Sequence, residues 1–256
     1  METKKTKRKF NKKNKTDAVI ALRNNRQKIL TNDSPFAVKE AYVQLRTNLM
    51  FSVAVEKNEG CRTFAVTSAN PSEGKSTTAS NIAVSFAMLG KNTLLIDCDM
   101  RKPNVHKLWG IVGTDGISNL LTGINNCFVN EVEELPLSII SAGDIPPNPS
   151  ELLASAKFEE TLEFLKTRFD YIIIDTPPIN QVADAQIIAK NVDGVVLVVN
   201  SGKTQTGELK RAEKALESSS GKICGYVLNA VNPKSGAYSY KYKKYAYKYG
   251  YYTTEA

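Results

Sequence analysis

Histidine and tryptophan are nearly missing from this chain: His106 and Trp109 are single copies among 256 residues. One imidazole and four cysteines (Cys61, Cys98, Cys127 and Cys224), with no Cys-x-x-Cys pair, are too few and too scattered for a structural zinc site. Three of the cysteines fall in or beside apolar runs, which predicts small buried thiols in a reducing compartment. No stretch approaches the roughly 18 consecutive apolar residues of a membrane span. The basic N-terminus is not followed by the apolar core of a signal peptide, so a cytoplasmic location is expected. With 42% hydrophobic and 23% charged residues, the chain has ample material for one soluble domain with a buried core.

Positive charge is in excess, and its placement matters more than its sum. The formal net charge is +8, which in general points to nucleic acid or an anionic membrane surface. Residues 1–30 hold 11 basic and 2 acidic side chains, residues 31–233 hold 18 and 23, and residues 234–256 hold 5 and 1. The body is therefore net −5, with tails of +9 and +4. A nucleic-acid-binding domain concentrates positive charge on a folded face, so no nucleic-acid partner is expected. Tyrosine is equally uneven: of eleven, eight lie in the last nineteen residues, at Tyr238, Tyr240, Tyr242, Tyr245, Tyr247, Tyr249, Tyr251 and Tyr252.

Three regions follow. Residues 1–33 read as a flexible basic arm, too charged and too poor in apolar residues to fold. Residues 34–233 begin with a helix, FAVKEAYVQLRTNLMFSV, and then alternate short apolar runs with amphipathic segments. The runs TFAVTSA, TLLIDCD, LSIISAG, YIIIDTP, GVVLVVN and ICGYVLNAV are continuously apolar, as strands covered on both faces require. The segments SELLASAKFEETLEFLKTRF, VADAQIIAKN and TGELKRAEKALESS read as the helices between them. The expected fold is α/β: a doubly wound, mostly parallel sheet with helices on both faces and ligands at the carboxyl ends of the strands. Residues 234–256 alternate Tyr with Lys and read as a disordered tail, with an edge strand as the alternative.

Chemistry concentrates at three strand ends. Ala69, Asn70, Pro71, Ser72, Glu73, Gly74, Lys75 and Ser76, continuing into Thr77, fit the P-loop pattern [AG]-x-x-x-x-G-K-[ST]. The loop follows a strand and opens a helix, so backbone N–H groups and the positive end of the helix converge on phosphates. Lys75 would reach the β and γ phosphates, and Ser76 would offer its hydroxyl to Mg²⁺. LLIDCDMR ends a second strand with Asp97 and Asp99 on one side, and IIIDTPP ends a third with Asp175, as in a Walker B element. Taken alone these motifs specify a Mg-dependent P-loop ATPase or kinase, with ATP and Mg²⁺ as cofactors.

The P-loop, the element Asp97, Asp99, Arg101, the element Asp175 and Pro177, and the tyrosine cluster together resemble the bacterial protein-tyrosine kinases of the capsular and exopolysaccharide type. The resemblance covers roughly residues 34–256 and implies Lys75, Asp97, Asp99 and Asp175 as the catalytic and Mg-ATP-binding groups. Ser76, Asp97 and Asp175 would hold the metal, and Arg101 joins the nucleotide-binding set. Asn229 matches a position that contacts adenine in related P-loop proteins, although a strand-end Asn also suits a turn. The resemblance further implies autophosphorylation of the C-terminal tyrosines, regulation of polysaccharide polymerisation and export, and other protein substrates. It implies a homo-oligomeric ring with contacts from Glu40 and Arg46, although Val43 stands where the family has a middle arginine. It implies too a transmembrane polysaccharide co-polymerase whose cytoplasmic C-terminal segment acts as adaptor and recruits the kinase to the inner face of the plasma membrane. The competing relatives are the MinD/ParA positioning ATPases, which carry a signature lysine where this chain has Asn70.

Overall fold

The computed structural model describes residues 25–53, 60–124 and 129–231. Its elements in chain order are α1 (Phe36–Ser52), β1 (Arg62–Ser68), α2 (Lys75–Ala87), β2 (Thr93–Asp97), α3 (Val105–Trp109), α4 (Ile117–Leu121), β3 (Val129–Glu131) and β4 (Leu137–Ile140). They continue with α5 (Pro149–Leu153), α6 (Ala156–Lys166), β5 (Tyr171–Asp175), α7 (Asp184–Ala189), β6 (Gly194–Asn200), α8 (Thr206–Ser218) and β7 (Ile223–Asn229). The strands form a seven-stranded sheet of order β3-β4-β2-β5-β1-β6-β7, parallel throughout except for β3 against β4.

The continuous apolar runs serve two cores at once. On one face Leu94, Ile96, Ile172, Ile174 and Leu197 pack against Phe158 and Leu162 of α6, Ile188 of α7, and Ala212 and Leu216 of α8. Their alternate neighbours Leu95, Ile173, Val196 and Val198 turn to the other face, against Leu49 of α1, Ile82 and Phe86 of α2, and Leu108 of α3. Period-2 alternation thus places every residue of such a strand in apolar surroundings, which is why no polar alternation is visible in the sequence. Helix α2 lies deepest, with all but one of its 13 residues buried, and its Ala and Ser side chains let it sit close to the sheet.

Four expectations change. The segment SELLASAKFEETLEFLKTRF is two helices, because Ser155 leaves helical geometry and its side chain accepts from the Phe158 N–H, capping α6 anew. Strand β3 has an exposed–intermediate–exposed pattern with no apolar run, so nothing in its sequence announces an edge strand. Sequence reasoning ends the arm at residue 33, yet Ile29 and Leu30 are buried in the same core as α2 and α3. Of the cysteines, Cys98 is buried but Cys61 and Cys224 are only half-buried, and Cys127 lies outside the described residues. Among the described residues no helix is long and apolar enough to cross a membrane. The strand order reverses direction around β1, β5 and β2, and their carboxyl ends form the crevice in which such folds bind ligands.

Candidate active site

The loop between β1 and α2 is shaped by its backbone. Ser72 and Gly74 both take positive φ, 63° and 94°, which turns the chain sharply into the start of α2. A side chain at Gly74 would be strained and would also collide with the Asn229 amide nitrogen. Glu73 braces the loop from within: buried, it accepts from the Asn70 N–H at 3.0 Å and from the Thr204 hydroxyl. Ala69 is buried beneath the loop, Pro71 and Ser72 form its exposed crest, and Ser76 and the half-buried Thr77 lie in the first turn of α2. No side chain caps α2, so its leading N–H groups are available to an anion.

Beside this loop the sheet presents its carboxylates. Asp97 and Asp175 are the last residues of adjacent strands, paired in register, and both are fully buried. Asp97 accepts three backbone N–H groups, from Asp99 at 3.0 Å, Asn104 at 3.1 Å and Val105 at 3.0 Å. Neither oxygen of Asp175 has a hydrogen-bond partner. Lys75 Nζ donates to Asp99 Oδ2 at 2.7 Å, and the other Asp99 oxygen accepts the Lys102 N–H.

The electrostatics are those of buried carboxylates crowded around one lysine. Burial, and then the charge of Asp175, push the Asp97 carboxyl well up from the usual carboxylate range. Burial likewise raises Asp175, although Lys75 and Ser76 oppose it. Burial alone would lower the Lys75 ammonium, but Asp175 and Asp99 outweigh it and hold its pKa above the ordinary lysine value. Two buried carboxylates, one without a partner, beside a helix N-terminus and a lysine fit a Mg-nucleotide. Among the described residues no three His, Cys, Asp or Glu side chains form a cage for a metal, but Mg²⁺ on a nucleotide needs only one or two carboxylates plus phosphate oxygens and water. Ser76 and Asp175, with Asp97 beside them, are the residues that could hold it.

Other sequence-derived candidates fall around this centre. Asn229, the last residue of β7, donates from Nδ2 to the Glu73 carbonyl at 2.9 Å and so touches the loop directly. Asn70 turns its amide to Glu208 of α8 at 2.8 Å, within its own chain. Arg101 is taken up by Asp184, with Nε and Nη2 on its two oxygens at 2.9 and 3.2 Å and Nη2 also on Ser150. Asp184 is fully buried and sequence reasoning missed it, because an acidic residue in the first turn of a helix carries no mark of burial. Arg46 is half-buried and bonds the Ser85 carbonyl of α2, whereas Glu40 is exposed on α1. The tail tyrosines, and residues 1–24 of the arm, lie outside the described residues.

Comparison with known proteins agrees with this geometry. Residues 61–209 match the AAA domain family. The chain is 38% identical over 244 residues to tyrosine-protein kinase YwqD of Bacillus subtilis, covering 92% of this chain and 98% of that one. It is 39% identical over 203 residues to tyrosine-protein kinase CpsD of Streptococcus agalactiae, covering 78% and 86% respectively. The crystal structure of the chimerical protein CapA2B2 is similar with a TM-score of 0.71 at 36% identity, over 78% of this chain and 86% of that one. The likeness takes in the P-loop, the acidic strand ends and the sheet that carries them, and the chain belongs to the bacterial tyrosine-protein kinases of the AAA domain family.

Proposed function

We propose that this protein transfers the γ-phosphoryl group of ATP to tyrosine hydroxyls, those of the C-terminal cluster first and those of other proteins after. Through this transfer it regulates the polymerisation and export of a capsular or exopolysaccharide chain. The observation that carries the reading is the contact of Lys75 with Asp99 at the mouth of the P-loop, beside the register-paired Asp97 and Asp175.

Phosphoryl transfer asks a protein chiefly for positioning and charge stabilisation. When bound, Mg-ATP supplies the transferred group and a divalent charge that neutralises the polyphosphate. The loop N–H groups and the α2 N-terminus would receive the phosphates, and Ser76 and Asp175 would hold the metal. Asp97, gripped by three backbone N–H groups, is fixed in orientation. With phosphate bound, Lys75 would exchange Asp99 for phosphate oxygens, and the Asp99 carboxylate would then be the group free to take the phenolic proton. A phenol with pKa near 10 is a modest demand on such a base. Asn229, already on the loop, lines the base end of the nucleotide.

The lysine–tyrosine tail of a second copy, carrying +4, suits an acidic body of −5, and a ring of copies would present each tail to its neighbour. Glu40, exposed on α1, is available to such a contact, whereas Arg46 is engaged with Ser85 inside its own chain. The CapA2B2 chimera supports an adaptor of CapA type, a transmembrane polysaccharide co-polymerase whose cytoplasmic segment completes the site and brings the kinase to the membrane. The +9 arm would add attraction to anionic lipid. Incubation with labelled ATP, with the adaptor fragment present, tests the proposal. Phosphotyrosine on the tail that vanishes in Lys75→Met supports it, and ATP hydrolysis without phosphotyrosine favours a positioning ATPase instead.

A further inference from the structure

Residues 25–31, which fall within the stretch that composition assigns to the basic arm, are fastened across two helices of the nucleotide site. The fastening point is Asn81, a buried asparagine in the middle of α2. Its Oδ1 accepts the Leu30 N–H at 2.8 Å, and its Nδ2 donates to the Lys28 carbonyl at 3.0 Å and to the Tyr42 hydroxyl of α1 at 3.2 Å. A buried amide in a helix interior is costly unless its groups are paired, and here they are paired to the strap rather than to a ligand. Ile29 and Leu30 add apolar contact in the same core as Val105 and Leu108 of α3. From this anchor the Arg26 guanidinium reaches the Trp109 carbonyl at 3.3 Å. That carbonyl closes α3, where helix carbonyls lack intrahelical partners and the dipole is negative. Trp109 is itself held by Ser80 of α2 through its indole N–H at 3.1 Å.

The opposite end of α3 holds catalytic machinery: the Asn104 and Val105 N–H groups both donate to Asp97 Oδ2. Helix α3 has five residues, about 7.5 Å of rise, so it moves as one piece and a shift at Trp109 is felt at Asp97. We infer that the strap is a positioning element, with Asn81 as its pin and Arg26, beside Asn25 on the Lys107 carbonyl, as a contact with α3, and that it keeps the Asp97 carboxylate in the orientation a metal would require. The kinetic part of this inference rests on the proposed kinase activity, whereas the structural part does not.

The test uses the full-length protein carrying Arg26→Ala, Arg26→Lys or Asn81→Ala, and a chain lacking residues 2–24 that keeps the strap. Amide exchange at Asn104 and Val105 is followed without nucleotide, with the β5 amides as internal reference, and kcat and KM for ATP are measured in parallel. Loss of a hydrogen bond worth about 1 kcal/mol predicts exchange about five- to tenfold faster at those two amides in the alanine variants, with β5 unchanged. A misaimed Asp97 predicts kcat down by about tenfold or more with KM within about twofold. Arg26→Lys restores most of both, and removal of residues 2–24 leaves both at the wild-type values. Wild-type exchange at Asn104 and Val105 in a folded alanine variant overturns the inference. So does acceleration spread equally over β5, or a loss confined to KM. Arg26 is exposed, so its variants remain informative even if Asn81→Ala does not fold. Exchange that responds in a chain that labels no tyrosine upholds the strap and refutes the kinase reading alone.

Discussion

Replacing Asp175 by asparagine should remove a pH-dependent penalty that the nucleotide-free fold carries at its own active site. Asp175 is fully buried, and neither oxygen makes a well-formed hydrogen bond, although the Ser76 hydroxyl lies close enough to favour its charged form. Burial raises its pKa from 3.8 to about 6, against the partial opposition of Lys75 and Ser76. A carboxyl whose folded pKa exceeds its unfolded value binds its proton more tightly when folded. Its cost is therefore absent below pH 3.8, grows as pH rises to about 6, and is constant beyond. Two pKa units at 1.36 kcal/mol each make about 3 kcal/mol. Asp97, raised to about 8 by burial and then by the Asp175 charge, loses the second cause in the variant, which adds in the same direction. Urea unfolding at pH 4 and pH 8 without nucleotide reads the effect. Relative to wild type, the variant should gain about 3 kcal/mol on going from the lower to the higher pH, or about 6–12 °C in melting temperature for a chain of this size. Stability curves that run parallel across that range would refute the reasoning. At pH 8, Mg-ADP should stabilise the wild type and fail to stabilise the variant.

Gly74→Ala should weaken nucleotide binding by about tenfold or more in fluorescence titration while leaving the fold intact. The new methyl group is strained at φ 94° and displaces the Asn229 amide from the loop. Arg101→Ala should cost about 2 kcal/mol in urea unfolding, because it strips the buried Asp184 of its counter-charge; the figure sits below the 3–5 kcal/mol of fully buried pairs because the guanidinium is 39% exposed. Phosphorylation adds about −1.5 to −2 charges per tyrosine, so two or three modified tyrosines should cancel the tail's +4 and dissociate the oligomer. Light scattering before and after incubation with Mg-ATP checks this, and an unchanged mass counts against it.

The parts of the site legible in the sequence are those where chemistry and local conformation coincide. Ala69 to Ser76 is contiguous, with a glycine that its turn requires and a lysine that opens the following helix, and Asp97, Asp99 and Asp175 end apolar runs that could be strands only in a sheet covered on both faces. What escaped depends on distant partners. Asp184 is a functional neighbour only because Arg101, 83 residues away, folds onto it. The strap was hidden by composition: residues around Ile29 and Leu30 are mostly polar and charged, and only the pairing of two backbone groups with Asn81 makes their burial affordable. The division of labour between Asp97 and Asp99 was equally invisible. The roles proposed for them rest on Asp97 being held by three backbone N–H groups and Asp99 by one such group and a lysine that a phosphate can recruit.

The most direct test of the central claim mixes two chains, neither of which can label its own tail. One chain carries Lys75→Met with its tail intact, and the other has a wild-type site with all eight tail tyrosines, from Tyr238 to Tyr252, replaced by phenylalanine. With Mg-ATP, γ-labelled on the phosphate, and the adaptor fragment, the account predicts phosphotyrosine on the Lys75→Met chain, at positions within 238–252. Consumption of ATP by the mixture with no label on those tyrosines would contradict it.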